Sequence, residues 1–96
     1  MEVTIFGKPR CGKCVTTKKK FSHFLDRWGV VDKVSVTFYD MSTPDGLAEG
    51  AYNDVLNVPT VIIRDGEKRL ARWDGVVPKT EDVRVHFQEP QDVAVH

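Results

Sequence analysis

Cys11 and Cys14 are the only cysteines of the chain, and they lie within four residues of each other in Cys11-Gly12-Lys13-Cys14. Two cysteines are too few for the disulfide framework of a secreted mini-protein. Joining them would close so short a loop that the entropic gain is about 2 kcal/mol. Their spacing asks for chemistry instead. A pair two residues apart, placed where a strand hands over to a helix, can exchange electrons through thiolate attack and disulfide closure. Zinc would need two further ligands. The other candidates, His23, His86 and His96, are not spaced as a pair, and His23 reads as a solvated histidine beside an apolar stripe.

The two sulfurs are expected to differ. Cys11 falls at a helix N-terminus, where unpaired N–H groups and the dipole favour an anion, and Lys8, Arg10 and Lys13 add cationic charge that tunes the thiol toward thiolate. Cys14 starts the apolar stripe of that helix and should be shielded. The pattern therefore makes Cys11 the attacking and Cys14 the resolving thiol.

The elements that position them follow from periodicity. Glu2 to Phe6 alternates and ends at Gly7, a first strand. From Cys14 an apolar stripe of Thr17, Phe21, Phe24, Leu25 and Trp28 predicts a helix stopped by Gly29. Val34 to Tyr39 reads as a second strand, led in by Val31 to Lys33. Ser42 or Thr43 can cap a second helix with Pro44 in its first turn, its packed face being Leu47, Ala51 and Val55 and its end Asn57; Gly46 and Gly50 weaken that reading. Thr60 to Arg64 is a near-continuous apolar strand, and Asp65-Gly66 turns it into an antiparallel partner over Glu67 to Trp73. The last stretch fits a strand (Val83, Val85, Phe87) or a helix opened by Pro78 (Val76, Thr80, Val83, Phe87), and the helix is favoured. Glu89 to His96 is read as a loosely held tail. The order is β-α-β-α-β-β-α, an α/β domain with a mixed sheet, because a strand–helix–strand crossover gives parallel neighbours and the hairpin adds an antiparallel pair.

With 96 residues, 14 basic and 14 acidic, the chain makes one domain spanning 1–96. At 41% hydrophobic and 29% charged it is globular, able to bury about 60 to 70% of its unfolded surface. No apolar run is long enough for a membrane span and the N-terminus has no secretory leader, so the expectation is a cytoplasmic protein with no membrane partner. Charge is uneven: residues 1–28 are strongly basic and 40–54 carry Asp40, Asp45, Glu49 and Asp54 with no base. The run Lys18-Lys19-Lys20 spreads over a helix with no interleaved aromatic, which reads as a solvated face and not as a nucleic-acid site. Trp28 reads as core, whereas Trp73 falls near the expected dithiol.

Taken with Val58-Pro59-Thr60 entering the third strand, the C-x-x-C at the first strand–helix junction resembles the thioredoxin superfamily over about residues 2–88. The early position of the motif, Lys8-Pro9-Arg10-Cys11 with Cys14 and Thr17-Lys18-Lys19, is similar to the minimal glutaredoxin-type core, and Trp73-Asp74-Gly75 with Pro78 loosely resembles the W-S-G-F-x-P segment of those redoxins. The resemblance implies a thioredoxin-like fold with a four-stranded mixed sheet and a thiol–disulfide oxidoreductase that passes electrons to a disulfide-containing protein or small disulfide. It implies a cis Pro59 facing the dithiol, and substrate contacts from Val58, Pro59, Thr60, Trp73, Asp74 and Gly75. Its cofactor would be the redox-active dithiol itself, with no bound metal. Arg10 stands where thioredoxins carry tryptophan, and Asp74-Gly75 is all that corresponds to the Gly-Gly-x-Asp with which glutaredoxins hold glutathione. The reductant is thus thioredoxin reductase or glutathione. The rival readings are a scaffold on which Cys11 holds an iron–sulfur cluster and a copper(I) carrier.

Overall fold

A computed structural model describes residues 1–87. The tail expected over 89–96 and His96 lie outside the described residues. Three helices and four strands follow in the expected order: β1 (Glu2–Gly7), α1 (Gly12–Arg27), β2 (Ser35–Asp40), α2 (Pro44–Tyr52), β3 (Thr60–Asp65), β4 (Lys68–Asp74) and α3 (Thr80–Arg84). The strands form one sheet in the order β2-β1-β3-β4, with β1 parallel to β2 and antiparallel to β3, and β3 antiparallel to β4. This is the mixed sheet that the crossover and the hairpin require.

One face of the sheet carries the main core. Val3 and Ile5 of β1 and Val61 and Ile63 of β3 pack with Phe21 and Phe24 of α1 and Val83 of α3. Burying each of these side chains contributes about 1.5 to 3 kcal/mol relative to leaving it in water. Phe24 stacks on Trp28, and Trp28 meets Phe87, so the stripe read from the sequence closes the far end of α1 against the turn that follows α3 (Thr80–Arg84). Gly29, at φ +68, ends the helix as expected. Gly66 at φ +64 makes the hairpin turn, and a register shift between Ile63 and Arg64 accommodates it.

The other face differs from expectation at α2. Thr43 caps the helix, its hydroxyl accepting from the Gly46 N–H at 3.0 Å. The packed residues, however, are Gly46 and Gly50, while Leu47 and Ala51 are exposed. A Cβ at Gly46 would collide with the Asp40 carbonyl and one at Gly50 with the Met41 side chain. The helix lies so close to the end of β2 that only glycine fits its inner face. It also ends at Tyr52, five residues short of Asn57, because Asp54 adopts φ 55 and turns the chain toward β3. Val31–Lys33 forms a turn of 3₁₀ helix ahead of β2 instead of extended lead-in.

The final element is helical, as favoured, but short. Val83 is fully buried, whereas Val76 is 49% exposed and does not share its face. Among the described residues no helix is long and apolar enough to cross a membrane.

Candidate functional site

The dithiol is built by the end of β1 and the start of α1. A turn from Lys8 to Cys11, closed by the Cys11 N–H donating to the Lys8 carbonyl at 3.2 Å, brings the chain round to the helix. Cys11 is the N-cap residue, with extended backbone at φ −88 and ψ 114. Its Sγ accepts from the Cys14 N–H at 3.2 Å, in the position usually filled by a capping oxygen. The sulfur therefore sits against the unpaired N–H groups of α1, which favour the thiolate when the bond is reduced. Cys11 and Cys14 are joined by a disulfide, their Cα atoms 5.1 Å apart and within the span such a bond requires. Cys14 is fully buried and Cys11 partly exposed, the inequivalence read from the sequence.

Cys14 is held from behind. Gly7, the last residue of β1, is buried, and a Cβ there would lie 2.8 Å from the Cys14 Cβ. One turn on, buried Thr17 directs its hydroxyl to the Lys13 carbonyl at 2.7 Å, which satisfies it without a partner from outside the helix. Lys8, Arg10 and Lys13, the bases expected to tune Cys11, are all exposed.

The register of the sheet carries the Val58-Pro59-Thr60 loop to the same end. Phe6 pairs with Thr60, so Pro59, the next residue back, lies at the end of β1 that Gly7 closes and where Gly7 backs Cys14. The Val58–Pro59 bond is cis, and Pro59 is fully buried. Thr60, also fully buried, donates its hydroxyl to the Asn57 carbonyl at 2.7 Å and lies 3.4 Å from Asp74 Oδ1. Gly75, at φ +73, donates its N–H to the Pro59 carbonyl at 2.7 Å. Five of the six residues named as substrate contacts, Val58, Pro59, Thr60, Asp74 and Gly75, thus form one cluster.

Trp73 stands apart from that cluster. It pairs with Val61, packs half-buried on the core face and meets His86 edge-on at 6.1 Å between ring centres.

Two positions that shape the candidate site escaped the sequence reading. Gly7 looked like a strand end only. Arg72 was not singled out, although its spacing of two from Asp74 in one strand puts both on one face. Its guanidinium grips the Asp74 carboxylate through Nε at 3.0 Å to both oxygens and Nη2 at 2.9 Å to Oδ1. It also donates to the Asn53 carbonyl at 2.6 Å and the Asp54 carbonyl at 2.9 Å. Arg72 thereby ties the chain entering the proline loop to the strand leaving the site. Those hydrogen bonds hold the Asp74 carboxyl below its ordinary 3.8, helped by Thr60. The Asp40 carboxyl, at the end of β2, is likewise lowered, by the hydroxyl and N–H of Ser42 and by the charge of Lys8.

The basic run is not simply solvated. Lys18 lies over the Phe38 ring, 4.8 Å from its centre, and Lys20 lies over Phe24 while donating to the Pro78 carbonyl at 2.9 Å, pinning the segment before α3 to α1. Among the described residues no group of three or more His, Cys, Asp or Glu side chains is gathered as metal donors.

No protein-family model matches the sequence, and no curated protein matches it. Solved structures do match the fold. Thioredoxin 1 from the thermophilic eubacterium Thermosipho africanus is 19% identical over the whole of both chains, with a TM-score of 0.74. Thioredoxin-2 of the malaria parasite, described as a component of its protein secretion machinery, is 19% identical over 90% of this chain and 79% of its own, with a TM-score of 0.73. Oxidized thioredoxin O2 from Arabidopsis thaliana is 16% identical over 90% of this chain and 70% of its own, with a TM-score of 0.71. The chain has the thioredoxin-like fold.

Proposed function

We propose that the protein is a dithiol–disulfide oxidoreductase, an electron carrier working through Cys11 and Cys14. The observation that carries the reading is the Cys11–Cys14 disulfide capping α1, with one sulfur partly exposed and the other buried. In the reduced protein the Cys11 thiolate attacks one sulfur of a substrate disulfide, and the other substrate sulfur leaves as a thiolate that takes a proton from solvent. Cys14, deprotonated, then attacks Cys11 Sγ, the mixed disulfide breaks and the second substrate thiol is released. Two electrons pass to the substrate, and the Cys11–Cys14 bond returns.

Val58, through its backbone beside Pro59, supports the reading by offering an extended substrate segment a strand-like partner. Thr60, Asp74 and Gly75 brace that loop, whereas Trp73, packed on the core face against His86, is not part of it. Lys8, Arg10 and Lys13 bias Cys11 toward the thiolate. The disulfide is reduced again by an external dithiol or thiol of the kind supplied by thioredoxin reductase or glutathione, and the cytoplasm is the compartment in which such a pair would turn over.

The test is a pair of variants. Cys11→Ser should abolish reduction of a protein disulfide such as that of insulin, and Cys14→Ser should accumulate a mixed disulfide between Cys11 and the substrate, seen by mass. Retention of reductase activity by both variants would overturn the mechanism. Supplying NADPH with thioredoxin reductase, and separately glutathione with its reductase, then identifies the electron source by which one sustains turnover.

A further inference from the structure

A groove runs along the flank of α1 that faces β2. Beside the dithiol it encloses about 500 Å³, lined by Cys14, Val15 and Phe38 on its floor and Lys8, Lys18 and Lys19 at its rim. Through Lys18 and Ser22 it continues into a further stretch of about 350 Å³ lined by Leu25, Val34 and Val36. The floor is unusually open for apolar side chains, with Val15 38% and Val36 44% exposed. Phe38 and Val36 stand on the same face of β2, two residues apart, so they mark the floor along the strand.

Two further features define what fits there. β2 is the outermost strand of the sheet, paired with β1 on one side and with no strand on the other among the described residues. An edge of that kind offers backbone groups to an added strand. The rim, meanwhile, is of one sign: Lys8, Lys18 and Lys19 are exposed, and no carboxylate lines either part of the groove. Lys18, resting on Phe38, covers the apolar floor with a charge that a bound carboxylate could draw aside.

We propose that this groove docks an extended segment of the partner protein in which a short apolar stretch is flanked by acidic residues, apolar side chains entering toward Val15, Val36 and Phe38 and the flanking carboxylates meeting the lysine rim. The inference rests on the redox reading above and deepens it. It gives the partner a second contact, on the side of Cys14 away from the proline loop, and so a basis for choosing among disulfide proteins by charge.

The experiment is read on the oxidised full chain, so that it does not depend on dithiol chemistry. A short cysteine-free peptide with a central run of Val flanked by Glu is titrated into labelled protein, and the amide signals of Val15, Lys18, Val36 and Phe38 are followed; the same peptide with Lys in place of Glu is the control. The acidic peptide should shift those signals and bind about tenfold more tightly at low salt than the control. Lys18→Glu with Lys19→Glu should remove the preference, and Lys19→Glu alone, which leaves Lys18 on Phe38, should weaken it. Equal binding of both peptides, shifts confined to the Pro59 and Asp74 region, or concentration-dependent pairing of the chain through β2 without peptide would each overturn the docking inference. Failure of the Cys14→Ser trap would instead overturn the redox reading, leaving the peptide result to stand by itself.

Discussion

Gly7 and Cys14 are in direct contact across the junction of β1 and α1: a Cβ placed on Gly7 would lie 2.8 Å from the Cys14 Cβ and 2.9 Å from its Sγ. Neither atom is the free end of a flexible chain, and Phe38 at 3.3 Å blocks retreat in a third direction. Gly7→Ala should therefore destabilise the fold by about 1 to 3 kcal/mol, the usual cost of overpacking a filled site. It should also push Cys14 from its place and slow the resolution of a mixed disulfide. Urea unfolding and the rate of substrate release measure the two effects. An alanine variant equal to wild type in both would show that this contact does not position Cys14.

The two glycines of α2 make an internally controlled comparison. At Gly46 an added Cβ meets the Asp40 backbone, which cannot yield without moving the end of β2, whereas at Gly50 it meets the Sδ and Cε of Met41, which can rotate away. Gly46→Ala should cost about 2 to 4 kcal/mol, more than the methyl could return as helix propensity. Gly50→Ala should stay within about 1 kcal/mol of wild type, because propensity offsets the shift of Met41. Equal losses from the two substitutions would mean that α2 is not held at the distance the structure shows.

That comparison also explains where the sequence was legible. Elements with bulky apolar periodicity, the stripe from Phe21 to Trp28 and the run Val61-Ile62-Ile63, fall where the pattern puts them, because burial of large side chains selects the face. α2 inverts the rule. Its contact is close, so the residues that pack are those with least mass, and the larger Leu47 is left 54% exposed. Periodicity of side-chain bulk cannot register a surface defined by missing side chains. The dithiol was legible from type and spacing alone, and the inequivalence of its sulfurs followed from the helix terminus. Arg72 was not, since its partners include backbone carbonyls of Asn53 and Asp54 whose positions depend on a left-handed residue at 54.

The Arg72–Asp74 pair sets a pH dependence of known sign. In the unfolded chain the Asp74 carboxyl titrates near 3.8, and in the folded protein it lies lower because Arg72 holds its charged form. The pair's stabilisation is therefore complete above the unfolded value and is lost as pH falls through the folded one. Asp74 is 45% exposed, so Asp74→Asn should cost no more than about 1 kcal/mol at neutral pH. The gap from wild type should persist down to about pH 5 and close in more acid solution. Arg72→Met should behave differently, remaining less stable even there, because its bonds to the Asn53 and Asp54 carbonyls carry no titrating partner. Unfolding midpoints of the three proteins between neutral and acid pH check both curves. A gap for Asp74→Asn that widened in acid would reverse the sign and remove the ion pair from the account.

The chemistry itself turns on the difference between Cys11 and Cys14 once the bond is reduced. Cys11 Sγ is the cap of α1, accepting the Cys14 N–H at 3.2 Å, and the partial positive charge of that helix end favours an anion there. Lys8, Arg10 and Lys13, proposed above to act in the same direction, are exposed and so screened by salt. Cys14 has no such cap, is fully buried behind Gly7, and pays the desolvation cost of ionising. Iodoacetamide at neutral pH should thus alkylate Cys11 first, with Cys14 protected until the fold is opened by denaturant. Mass spectrometry of the peptide holding both residues separates the two products. The Cys11 rate should fall with added salt and should fall less in Lys8→Ala or Lys13→Ala, in which part of the screened charge is already gone. Alkylation of both sulfurs at equal rates in the native protein would leave Cys11 with no claim to be the attacking thiol, whatever the fold around it.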